Sequence, residues 1–150
     1  MAIETGVILV VEDNPSDATM TLRALKKNNV ANDIVLAHDG AEALDYLYGS
    51  GAYASRDRSN LPQVVILDLK LPKVDGMQVL KRIRSEPLTQ TLPVVILTSS
   101  DEQRDLVESY KLGVNSFVRK PVEFSDFIEA VSQLGLYWTL INRTPRVEKA

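Results

Sequence analysis

The tetrad VVIL occurs at residues 64–67 and again at 94–97, and the related runs VILVV (7–11) and DIVLA (33–37) precede both. Each run is too short for a buried helix and, Asp33 apart, is continuously apolar rather than alternating. That is the pattern of a strand covered on both faces, as in the centre of a parallel sheet. SFVR (116–119) supplies a fifth short strand.

Segments of helical period lie between these strands. Ala18, Leu22 and Leu25 mark a helix over 16–28, and Ala41, Leu44 and Leu47 mark a short one that stops at Gly49. Gly76, Val79, Leu80 and Ile83 give a third stripe, which Pro87 helps to end. SDEQ (100–103) has capping-box spacing and predicts a helix starting there that Gly113 closes. A last helix runs from near Ser125 through Ile128, Val131 and Leu134 towards Trp138. Strands alternating with helices predict an α/β fold. The expected architecture is a doubly wound five-stranded parallel sheet in the flavodoxin-like order 2-1-3-4-5, with five helices.

A chain of 150 residues predicts one domain, with its core at about 6–140 and a polar tail at 142–150. There is no cysteine, which removes disulfides, thiolate nucleophiles and thiolate metal sites. The start, MAIETGVILVVED, lacks the basic segment of a signal peptide, and no apolar stretch approaches the length of a membrane span. These features predict a cytoplasmic protein without membrane contact. The net charge is −3 and there is no basic tract, so direct nucleic-acid binding is not expected.

In doubly wound sheets, sites form beyond the carboxyl ends of the strands. Here those ends carry Glu12, Asp13 and Asn14 after strand one and Asp68 after strand three. Thr98, Ser99 and Ser100 follow strand four, and Lys120 follows strand five. Singly, each has an ordinary reading: a solvated strand end, a helix cap, a surface lysine. Together they bring three carboxylates, a hydroxyl and an ammonium to one edge. Clustered carboxylates repel unless a cation neutralises them. An all-oxygen donor set without His or Cys suits Mg²⁺. Carboxylate, Mg²⁺, lysine and hydroxyl are what a transferring phosphoryl group needs. Asp68 is the expected nucleophile, forming an acyl phosphate.

With VVEDNPSD, VVILDLKLPKVDG, VVILTSS and SFVRKP in this order and spacing, residues 6–136 resemble the receiver domains of two-component response regulators. The resemblance implies that Asp68 accepts a phosphoryl group from a phosphohistidine of a sensor histidine kinase. It implies that Glu12, Asp13, Asp68 and the backbone carbonyl of Lys70 hold Mg²⁺, with Thr98 and Phe117 as the switch pair. It implies that Lys120 assists the transfer, and that the Lys120–Pro121 peptide is cis. Such a protein is a signalling phosphoacceptor in a phosphorelay, with weak self-catalysed phosphorylation and dephosphorylation, and not an enzyme. The long connection 49–63 and the aromatic end GLYWTLI resemble the single-domain type that partners phytochrome-type kinases. The chain stops after helix five, so no output domain is expected and the downstream protein is unknown.

Three other functions compete for the same residues. A haloacid-dehalogenase-type phosphohydrolase needs a second Asp two residues after the first on strand one, and Lys70 stands at that offset from Asp68. A flavodoxin-like flavin site needs a phosphate loop, and EDNPSD would repel phosphate. A receiver-like binding module that works without phosphorylation stays as the alternative. His38 is expected to be a polar surface residue, and Tyr46, Tyr48 and Tyr53 to pack the 49–63 connection. Lys70 stays open between a solvated loop lysine and a screen over the phosphoryl group. The stripe from Phe124 to Ile141 outruns the sheet, which predicts a homodimer through helix four, strand five and helix five. Tyr137, Trp138 and Ile141 form the expected edge of that interface, and Tyr110 lies beside it.

Overall fold

The computed structural model describes residues 6–27 and 33–141. Five parallel strands, β1 (Val7–Val11), β2 (Asp33–Ala37), β3 (Val64–Leu67), β4 (Val94–Thr98) and β5 (Ser116–Arg119), lie in the order β2-β1-β3-β4-β5. The helices are α1 (Pro15–Lys26), α2 (Gly40–Tyr48), α3 (Gly76–Ser85), α4 (Gln103–Lys111) and α5 (Phe124–Leu136). Successive strand residues point to opposite faces. Leu9, Val11, Val65, Leu67 and Ile96 therefore pack with α2 and α3, while Ile8, Val10, Ile66, Val95 and Leu97 pack with α1 and α5.

Local chemistry sets where the helices begin. The Asn14 side chain caps α1 by accepting from the Asp17 amide at 3.0 Å, and Pro15 occupies the first turn. Asp75 and Gln78 form a reciprocal capping box on α3, at 2.9 and 3.2 Å. Gly76 lets this helix start against the chain that leaves β3, because a Cβ there would collide with the Asp68 carbonyl and the Leu69 backbone. The missing side chain thus fixes how closely α3 approaches the site.

Three expectations require correction. The SDEQ capping box does not form: α4 starts at Gln103, Glu102 makes no side-chain cap bond, and the Ser100 hydroxyl instead donates to Asp105 at 2.5 Å. No peptide bond among the described residues is cis, so Lys120–Pro121 is trans, the isomer that X–Pro bonds favour. Trp138 is only 8% exposed and fills the core beside Leu25 and Val131, so it does not lack a partner within its own domain. Helix α5 gives way to a π-helical turn at Tyr137–Ile141. The Ile141 side chain, residue 28 and the 142–150 tail lie outside the described residues.

The 49–63 connection is packed. Arg56 donates to the Tyr46, Leu47 and Asn60 carbonyls at 2.7, 3.2 and 2.7 Å. Its guanidinium lies 4.1 Å from the centre of the Tyr46 ring, and Tyr53 meets that ring edge-on. Arg56 thereby satisfies carbonyls at the end of α2 that the helix itself leaves open. Tyr48 bonds Thr89 at 2.9 Å beneath the Arg82 guanidinium. His38 is exposed and pairs with Glu42 at 3.2 Å.

Candidate functional site at the carboxyl edge of the sheet

Strand register places the site. Val11 of β1 pairs with Leu67 of β3, so the next residues, Glu12 and Asp68, emerge side by side. The ladder continues one residue further. The Asp68 amide donates to Val11 O at 3.1 Å, the Glu12 amide to Ala37 O at 3.0 Å, and the Lys120 amide to Thr98 O at 2.7 Å. Three strand ends are therefore held rigidly where side chains of opposite charge meet.

Lys120 is the centre of the constellation. Its Nζ lies 2.5 Å from Glu12 Oε1, 2.8 Å from Asp17 Oδ2 and 2.9 Å from Asp68 Oδ2. Glu12, Asp68, Thr98 and Ser100 are buried, and Asp13 is exposed at the rim. Carboxylate oxygens of Glu12, Asp13 and Asp68 all lie within 4.8 Å of one another. Burial, with Asp68 close by, pushes the Glu12 carboxyl up to about 7 against the opposing hydrogen bond from Lys120. Burial alone would lower the Lys120 pKa, but its bonds to Asp17, Glu12 and Asp68 overcome that and raise it. Lys120 is thus a fixed cation. The acids around it outnumber it, which is a setting that a divalent ion would relieve.

The structure gathers Glu12, Asp13, Asp68 and Lys120 as the sequence predicts. Thr98 closes the same edge, with its hydroxyl oxygen 3.3 Å from the Ser100 amide. Lys70 is exposed, and its amide is 3.4 Å from Asp68 Oδ1. Phe117 is half-buried and packs against the α2–α3 side of the core. Asp17 is the participant that sequence reasoning missed. Pro15 at the start of α1 was the available signal, since it sets Asp17 in the first helical turn, directly over the strand ends.

Residues 8–132 match the model of the response regulator receiver domain. Three solved structures illustrate the likeness. The phosphorylated cyanobacterial phytochrome response regulator RcpA superposes with a TM-score of 0.88 at 35% identity, over 95% of this chain and 99% of that one. The bacteriophytochrome response regulator AtBRR is 53% identical, with a TM-score of 0.74 over 94% and 100%. The Mn²⁺-bound form of response regulator Rcp1 gives 0.86 at 33% identity, over 93% and 99%. The curated Rcp1 sequence, from Synechocystis sp., is 35% identical over 132 residues, 88% of each chain. The chain belongs to the response regulator receiver domain family, and its relatives include phytochrome response regulators.

Proposed function

We propose that Asp68 is the phosphoacceptor of this receiver and that its phosphorylation switches a protein-interaction surface. The observation that carries the reading is the buried Asp68 carboxylate, bonded to Lys120 at 2.9 Å and within 4.8 Å of two further acids. An Asp68 oxygen attacks the phosphorus of a sensor kinase phosphohistidine. A P–O bond forms, the P–N bond breaks, and the departing imidazole nitrogen keeps the electron pair. Lys120 offers its N–H groups to the transferring oxygens, and the Thr98 hydroxyl donates to the phosphoryl group once it is in place. Attack by water returns the carboxylate and releases inorganic phosphate, so the protein resets itself slowly without being a turnover enzyme.

The donor set fits Mg²⁺. Glu12, Asp13, Asp68 and the Lys70 carbonyl would hold it, and an all-oxygen site of this charge suits a hard divalent ion. When bound, the ion would offset charge on the phosphoryl oxygens.

The chain acts as one receiver over about residues 6–140, in the cytoplasm. Its donor is a histidine kinase of phytochrome type, in keeping with the names of its relatives. Thr98 and Phe117 bias the surface of α4, β5 and α5, which a downstream protein or a second copy reads. Tyr110 on α4 and Tyr137, just past the end of α5, are 54% and 46% exposed and are better anchors for a homodimer than the buried Trp138.

Intact-protein mass spectrometry after treatment with Mg²⁺ and acetyl phosphate tests the chemistry. The parent gains one phosphoryl group and Asp68→Ala gains none; equal labelling of the two overturns the assignment. Sedimentation equilibrium of the parent and Tyr137→Ala tests the dimer. A monomer in both phosphorylation states removes it.

A further inference from the structure

Lys120 has three N–H groups, and all three are committed: to Glu12 on β1, to Asp68 after β3 and to Asp17 on α1. An ammonium has no fourth donor. On the proposed phosphoacceptor role of Asp68, Lys120 must donate to an oxygen of the incoming phosphoryl group, so one of the three bonds has to open.

The surroundings of the acids choose between them. The Glu12 and Asp68 side chains are 4% and 8% exposed, and that of Asp17 is 26% exposed. Until the P–O bond to Asp68 forms, a buried carboxylate left without its cation bears the full cost of desolvation, whereas a carboxylate at the rim regains water when released. The tether of α1 is also independent of the Asp17 carboxylate. The Asn14 side chain holds the Asp17 amide at 3.0 Å, so the carboxylate can swing away while the helix cap stays intact.

We infer that Asp17 is a positioning residue: it holds the third donor of Lys120 in the resting protein and releases it to the phosphoryl group. This inference rests on the phosphoacceptor reading above. Asp17 stabilises the state before transfer and has no bond to Lys120 after it. It therefore slows phosphorylation and leaves the lifetime of the aspartyl phosphate alone. A purely structural acid would alter thermal stability and neither rate, and a general electrostatic effect of its charge would alter both.

The test compares the parent, Asp17→Asn and Asp17→Glu with acetyl phosphate and Mg²⁺. In Asp17→Asn, phosphorylation accelerates about two- to fivefold, the equivalent of one partly exposed ion pair. Decay after donor removal matches the parent, and Asp17→Glu restores the parent rate of labelling. Labelling of Asp17→Asn at or below the parent rate, or an equal change in decay, overturns the inference while Asp68 keeps its role. A parent that takes no label at Asp68 overturns both. The resting contact is read separately by ¹⁵N NMR of the Lys120 ammonium without donor. Its protons exchange faster with water in Asp17→Asn, and unchanged exchange removes the contact on which the inference stands.

Discussion

Helices α3 and α4 follow neighbouring strands, β3 and β4, and both begin beside the site, yet they are held very differently. Helix α3 is fastened at its start by the Asp75–Gln78 capping box and buries Val79, Leu80 and Ile83 completely. Helix α4 has no side-chain cap and buries one residue, Ser109, whose hydroxyl meets the Met77 sulfur of α3 at 3.7 Å. Its apolar side chains Val107 and Tyr110 are largely exposed. The far end of α4 is pinned: Gly113 turns the chain at φ +91°, and Arg84 donates to the Gly113 carbonyl at 2.8 Å and to Asn115 at 2.9 Å. The end nearest the site is tied chiefly through Ser100 and Asp105. Few buried apolar contacts mean low local stability, which is where movable elements are found. The contrast makes β3 and α3 the firmly seated half of the site and α4 the lightly seated one, which is the half the proposed switch would move.

The largest expected effects would come from breaking the rigid half. Ile83→Ala removes a fully buried side chain and should cost about 2–5 kcal/mol in urea unfolding. Leu106→Ala, on a half-buried position of α4, should cost about 1 kcal/mol or less. Equal losses would mean that the two helices are seated alike. Asp75→Ala should cost about 1 kcal/mol through the lost cap, and Glu102→Ala almost nothing, because Glu102 caps nothing.

The smallest effect on stability belongs to Lys70, which is exposed and flanks Asp68. Lys70→Asn should leave the unfolding midpoint unchanged and still change the half-life of the phosphoprotein several-fold, by altering access of water. Identical decay in variant and parent would make Lys70 an ordinary loop residue.

The strands and their order were legible because runs such as VVIL have no stable place except the middle of a parallel sheet. Glu12, Asp13, Asp68 and Lys120 were legible for a related reason: parallel order puts every strand's carboxyl end on one edge. The start of α4 was misread because Ser100 has the spacing of a capping residue, while its hydroxyl is drawn to Asp105 instead. The expected place of Trp138 at an interface edge fails because it lies at helical spacing from Phe127 and Val131 and joins their core. Close approach of α1 and α5 at Gly135, where a Cβ would strike Leu25, extends the core beneath it. Asp17 is easily passed over, because an acid in a first helical turn ordinarily complements the helix dipole and Pro15 signals only its place. Its partner is 103 residues away in the chain.

On the proposed role of Asp68, the phosphoryl group arrives at one particular carboxylate of four at this edge, three of them bonded to Lys120. Borohydride reduction of the phosphorylated protein converts an aspartyl phosphate to homoserine, and peptide mass spectrometry locates it. Homoserine is expected at position 68 alone. Homoserine at position 13 or 17, or none in a protein that carries a phosphoryl group, would contradict it.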